Sequence, residues 1–255
     1  MTKSEAYESE IPDHRTFSKQ REAWRFNLAS DTQLRDRAVE LTVLANVHNY
    51  GYQWEWCGIP IIRHPDDIVL QQEIMWDLKP TRVIETGVAR GGSLALSSSL
   101  MAMYTKFGKV LGIDLQILDH AHDALSPWIN SSQIEILESD STSELALEKI
   151  KRFLQDNDSP VLTVLDSNHS HEHVLKELEN FSEVLPIGSI IMVADTIVEE
   201  MPDNYYINRP WGKGSNPLTA VNVFLHSNNR YIRDKRWSRR SLMGECRDGI
   251  LLKIS

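Results

Sequence analysis

The stretch that decides the fold is Arg82–Met101, "RVIETGVARGGSLALSSSLM". A short apolar run ends in an acid, passes through a glycine-rich turn and enters a helix-like segment. Strand, glycine turn and helix in that order are the opening unit of a parallel α/β sheet. Outward from it the pattern repeats. "KVLGIDL", "IEILESD", "PVLTVLDSN" and "GSIIMVADT" read as strands, separated by helical stretches such as "SELALEKIKRFLQD" and "HEHVLKELENFSEVL". Their apolar runs are unbroken rather than alternating, as in strands covered on both faces. Two last runs, "RYIRDKRW" and "DGILLKI", have no helix between them and are expected to pair antiparallel at the sheet edge. The predicted fold is therefore α/β, Rossmann-like, with a mostly parallel doubly wound sheet.

Upstream, "SDTQLRDRAVELTVLANVH" has helical spacing behind an Asp31/Thr32 cap. "NYGYQWEWCGIPIIRHP", residues 49–65, reads as an aromatic loop with a short strand, and residues 66–80 as a helix. Tyr50, Tyr52, Trp54 and Trp56 fall at alternate positions, which suits a substrate wall, a subunit contact or a buried strand. Residues 1–30 are polar without a clear period and read as an arm. The expected division is an N-terminal extension, 1–65, and a catalytic domain, 66–255.

The 255 residues carry a formal charge of −9, which argues against a partner with a phosphate backbone. The N-terminal stretch lacks the apolar segment of a signal peptide, and no apolar run is long enough to span a membrane. These features predict a cytoplasmic protein with no nucleic-acid or membrane partner. The two cysteines, Cys57 and Cys246, read as buried free thiols.

Ligands of open α/β sheets sit at the carboxyl ends of the strands. The turn Gly87-Val88-Ala89-Arg90-Gly91-Gly92 lacks the second glycine of a dinucleotide fingerprint, and no lysine follows it as in a phosphate loop. Glu85 would repel a pyrophosphate but attract an α-amino group. Asp114 ends the next strand and is placed for ribose hydroxyls; Asp140, with Ser141, follows the third and could border adenine. These acids, with Gly87, Ala89, Gly91 and Ser93 of the loop, describe a site for S-adenosyl-L-methionine (SAM). Gly91 and Gly92 are expected to let backbone approach that ligand.

Asp166 and Asp195 end the following strands at the same edge. Two carboxylates with Thr196 nearby suit a hard divalent cation such as Mg²⁺, which would hold and acidify a substrate hydroxyl. His169 is within reach to remove its proton. His171 and His173 could make a zinc-type cluster, but alternate residues of a helix do not share a face. "NRPWGKGSNP", residues 208–217, combines Trp211 and Lys213 and suits a lid.

The stretches "YQWEWCGIPIIRHPDDIVLQQEIMWDLKP", "VIETGVARGGSLALSSSLM", "LDSNHSHEHVLKELE" and "RPWGKGSNPLTAVNVFL" together resemble the cephalosporin hydroxylase family, which includes rhamnosyl and other sugar O-methyltransferases. The resemblance covers about residues 45–254. It implies the class I SAM methyltransferase fold, magnesium-assisted methyl transfer to a sugar or specialised-metabolite hydroxyl, and a homo-oligomer. The metal chemistry is similar to that of catechol O-methyltransferases, and the spacing of Asp166 and His169 matches theirs. There the second metal group is an Asp-Asn pair. Here Ala194-Asp195-Thr196 stands instead, leaving two strong ligands. Rival readings are a nicotinamide oxidoreductase, an iron hydroxylase and a non-catalytic SAM-binding subunit.

Overall fold

The computed structural model describes residues 12–238 and 240–255. The start of the stretch read for a signal peptide, and Arg239, lie outside the described residues. Helices α1 (His14–Ser30) and α2 (Thr32–Asn46) lead into a hairpin of β1 (Trp54–Trp56) and β2 (Ile59–Ile61), then α3 (Pro65–Leu78). The alternating part follows: β3 (Arg82–Thr86), α4 (Gly92–Met101), β4 (Lys109–Asp114), α5 (Asp119–Asn130), β5 (Ile134–Glu138), α6 (Glu144–Phe153), β6 (Leu162–Leu165), α7 (His171–Val184) and β7 (Ile190–Val193). The chain ends with α8 (Pro217–Ser227), β8 (Tyr231–Arg233) and β9 (Ile250–Lys253).

The large sheet has the order β5-β4-β3-β6-β7-β9-β8. β3 to β7 run parallel, and β9 pairs antiparallel with both β7 and β8. Successive side chains of a strand point to opposite faces. Val83 and Val110 therefore join one core layer, with Ile74, Met75 and Leu96 from the helices over it. Ile84 and Leu111 join the other, with Phe181 and Phe224. Burying each such side chain stabilises by about 1.5–3 kcal/mol, which is why the unbroken apolar runs form covered strands.

The helix boundaries follow local chemistry. Asp31 accepts the Leu34 N–H at 2.9 Å and starts α2. Pro65 opens α3 with Asp66 and Asp67 in its first turn, and Lys79 ends it in the left-handed conformation at φ 47°. Asn216 and Thr219 form a capping box at the start of α8.

Two local expectations are corrected. Residues 14–30, read as an arm, form a helix, whose start is capped by Asp13 accepting the N–H groups of Arg15 and Thr16. No residue of α1 is buried, and its Phe17 and Trp24 rings meet edge-on at 5.8 Å on the exposed surface. Cys246 is buried as expected, but Cys57 is exposed at the tip of the β1–β2 hairpin. Among the described residues no helix is long and apolar enough to cross a membrane.

The chain moves outward from β3 to β5 and then returns to place β6 on the other side of β3. This reversal opens a crevice at the ends of β3 and β6, where Thr86 and Leu165 are paired. Backbone bonds carry the ladder into the loops: Gly87 N–H donates to Ile113 at 2.8 Å, and Asp166 N–H donates to Thr86 at 3.0 Å.

Candidate active site

Glu85 is the penultimate residue of β3, and its side chain is fully buried. Ser93, in the first turn of α4, donates its hydroxyl to Glu85 Oε1, and Arg63 Nη2 lies 3.7 Å from the same oxygen. Glu85 Oε2 has no partner. Burial pushes this carboxyl up to about 7, opposed by Arg63 and Ser93. A carboxylate without competing lone-pair partners on one oxygen fits an ammonium group.

The loop beyond is shaped by its surroundings. Gly87 and Gly91 both have φ of 90°, and Ala89 is left-handed at 45°. A Cβ on Gly87 would overlap the Asp166 carbonyl, one on Gly91 would meet Leu125, and one on Gly92 would overlap Pro60. Close packing against α5 and the hairpin leaves no room for a side chain at Gly91 or Gly92, and both glycines also line the cavity at this site. Asp114 accepts the N–H of Val88 at 2.7 Å and of Ala89 at 3.2 Å, and so holds the loop. Asp140 is exposed and closes a turn onto Thr142, whose hydroxyl, the larger influence, and N–H hold its carboxyl below the usual range. Ser141 is buried against His173 Nε2 at 3.0 Å.

On the neighbouring strand ends, Asp166, His169 and Asp195 bring ligand atoms within 4.8 Å of one another. His169 Nε2 lies 3.5 Å from Asp195 Oδ2, and its ring meets Trp211 edge-on at 5.0 Å. Burial raises the Asp166 carboxyl above its usual range, and Asp195 adds to this. Arg63, donating to Asp166 Oδ2 at 2.9 Å, opposes both. The two carboxylates suit a hard divalent cation, and the His169 imidazole stands beside them.

Thr196 is not brought to this set. It is buried, and its hydroxyl donates to the Glu245 carbonyl at 3.0 Å. The left-handed backbone of Asp195, φ 54°, turns the chain into a short 3-10 helix that carries Thr196 inward. His171 and His173 diverge as expected: His171 Nδ1 meets Thr219 at 2.7 Å, while His173 faces Ser141 and Ser167.

A cavity of ≈ 410 Å³ joins the two halves, lined by Gly87, Ala89, Gly91 and Ser93 on one side and Asp166, His169 and Asp195 on the other. Tyr52, Tyr205, Tyr206, Arg209 and Trp211 add an aromatic wall. Of the alternate aromatics, Trp54 and Trp56 pack on the core, while Tyr52 is mostly exposed. Lys213 pairs with Asp203 at 3.0 Å on the surface.

Sequence reasoning missed Arg63 and Glu245. Arg63 was detectable as a charge inside the apolar run "IPIIRHP". Glu245 lines the cavity, and burial together with Asp195, Asp67 and Asp166 raises its carboxyl. It sits in "MGECRDG", which has no periodic signal.

The strand order and the crevice above it define a class I SAM methyltransferase fold. A family model described as rhamnosyl O-methyltransferase/CmcI matches residues 48–254, and the chain belongs to that family. It is 31% identical over 147 residues to a rhamnosyl O-methyltransferase of Mycobacterium leprae (strain TN), covering 58% of this chain and 62% of that protein. The chain thus matches less than two thirds of that relative's length. The apo structure of CmcI aligns with a TM-score of 0.56 at 17% identity, over 80% of this chain and 77% of that one. A CmcI structure with Mg and SAM aligns at 0.54 and 19% identity, over 80% and 78%. These likenesses report a shared fold.

Proposed function

We propose that this chain transfers a methyl group from SAM to a hydroxyl of a sugar or a specialised metabolite, with help from a divalent cation. One observation carries the reading. Ser93, which donates to the buried carboxylate of Glu85, lines the same cavity as Asp166, His169 and Asp195. The family and the names of its members support the reaction class, and rhamnosyl relatives favour a sugar acceptor.

Glu85 and Ser93 would hold the donor's amino group. Asp114 would border its ribose, and Asp140 with Ser141 its adenine. Asp166 and Asp195 would hold Mg²⁺, which supplies Lewis acidity toward the acceptor hydroxyl. His169 would take the proton. The aromatic wall would stack on the acceptor ring, and alignment of the two reactants would give much of the rate. We further propose self-association, since Trp24 and Phe26 on α1 and Leu41 and Leu44 on α2 are exposed.

The test is transfer of labelled methyl from SAM to a panel of rhamnosides and hydroxylated aglycones, with Mg²⁺ and with chelator. Transfer lost on chelation is expected. Donor binding without any transfer would favour the non-catalytic reading, and NAD(P)H binding in its place would favour the oxidoreductase.

A further inference from the structure

Arg63 lies in the loop between the β1–β2 hairpin and α3, and is 2% exposed. A guanidinium so buried must be paired and hydrogen-bonded. Its fork is divided. Nη1 donates to Gln71, whose amide donates to Ser97 of α4 at 2.8 Å. Nη2 donates to Asp166 Oδ2 at 2.9 Å and lies 3.7 Å from Glu85 Oε1. Gln71 is itself fully buried, so the arm that anchors Arg63 is fixed by α3 and α4. The Arg63 backbone N–H is held by Gly51 at 2.9 Å.

The consequence lies in which oxygens stay free. Glu85 Oε1 is engaged by Ser93 and Arg63, and Oε2 is left open. Asp166 Oδ2 is engaged by Arg63, and no hydrogen bond or ion pair among the described residues engages Oδ1. The Arg63 Nη2 therefore meets a carboxylate on each side, hydrogen-bonded to Asp166 and 3.7 Å from Glu85, while Nη1 is anchored on Gln71. A lysine would keep the charge but not the fork.

We propose that Arg63 is a positioning residue that ties the donor carboxylate Glu85 to the cation carboxylate Asp166, so that one buried guanidinium sets both binding sites. This rests on the donor and cation reading above. Arg63 lines the cavity beside Asp166, and its role is exerted through the two acids. Its loss should weaken both sites together, whereas a residue of one site weakens that site alone.

The test measures two affinities in each full-length protein: S-adenosylhomocysteine (SAH) by calorimetry, and Mn²⁺ by electron spin resonance. Arg63→Lys is expected to weaken both about tenfold, Mn²⁺ through the lost charge-assisted hydrogen bond to Asp166 and SAH through the displaced charge beside Glu85. Gln71→Leu, which frees the other arm but keeps the guanidinium, is expected to weaken both about threefold. Ser93→Ala should weaken SAH alone, and Asp195→Asn should weaken Mn²⁺ alone. Thermal unfolding separates these effects from a purely structural role, which would lower Tm while the folded protein kept wild-type affinities. Folded Arg63→Lys with either affinity unchanged overturns the inference. If that variant does not fold, Gln71→Leu with either affinity unchanged overturns it. Wild-type protein that binds no SAH overturns the donor reading itself, a distinct result.

Discussion

Gly87 and Asp166 run backbone against backbone, so close that a Cβ on residue 87 would overlap the Asp166 carbonyl. The donor-side turn and the cation-side strand end are thereby one rigid unit. Gly87 also has φ of 90°, which an L side chain rarely adopts. Gly87→Ala should cost about 3 kcal/mol or more, from the strained φ together with overpacking. Chemical denaturation against wild type measures it. A loss below about 1 kcal/mol would mean that the two segments part easily.

Asp166→Asn removes charge from the cation set while its amide oxygen still accepts from Arg63. Turnover should fall by about 100-fold or more, while SAH affinity stays within about threefold. Steady-state kinetics and calorimetry together decide it. A large loss of SAH binding would assign Asp166 to the donor instead.

Glu85 supplies a pH dependence. Its carboxyl is raised to about 7, mainly by burial, so below that pH the free site is largely neutral. An ammonium needs the ionised form, so donor affinity should rise as pH rises toward 7. SAH should bind about tenfold more weakly at about pH 5.5 than at about pH 7. Glu85→Gln should bind weakly and flatten the profile. A wild-type profile that is already flat would show that Glu85 does not meet the amino group.

His169 lies against Asp195 and Trp211, not in the donor turn. His169→Gln should lower kcat by about 100-fold or more with SAH affinity unchanged. A kcat within about threefold of wild type would remove it as the proton acceptor.

The sheet was legible because its strands are continuous apolar runs, and each forms near its expected place from β3 to β9. The rim acids were legible as strand ends, Glu85, Asp114 and Asp195 among them. What each acid touches was not. Asp114, expected at the ribose hydroxyls, also holds the glycine loop, and Thr196 turns inward because Asp195 takes a left-handed backbone. Arg63 and Glu245 reach the site from loops distant in sequence, and no local period encodes such contacts. Helix α1 was missed because its few apolar residues, Phe17, Trp24 and Phe26 among them, are scattered in a polar stretch.

The most direct measurement is a crystal structure with SAH and Mn²⁺, the metal placed by its anomalous signal. The account predicts the amino group of SAH at Glu85, its ribose near Asp114, and the manganese peak between Asp166 and Asp195. A nucleoside bound elsewhere, or a metal peak away from those two carboxylates, would contradict it.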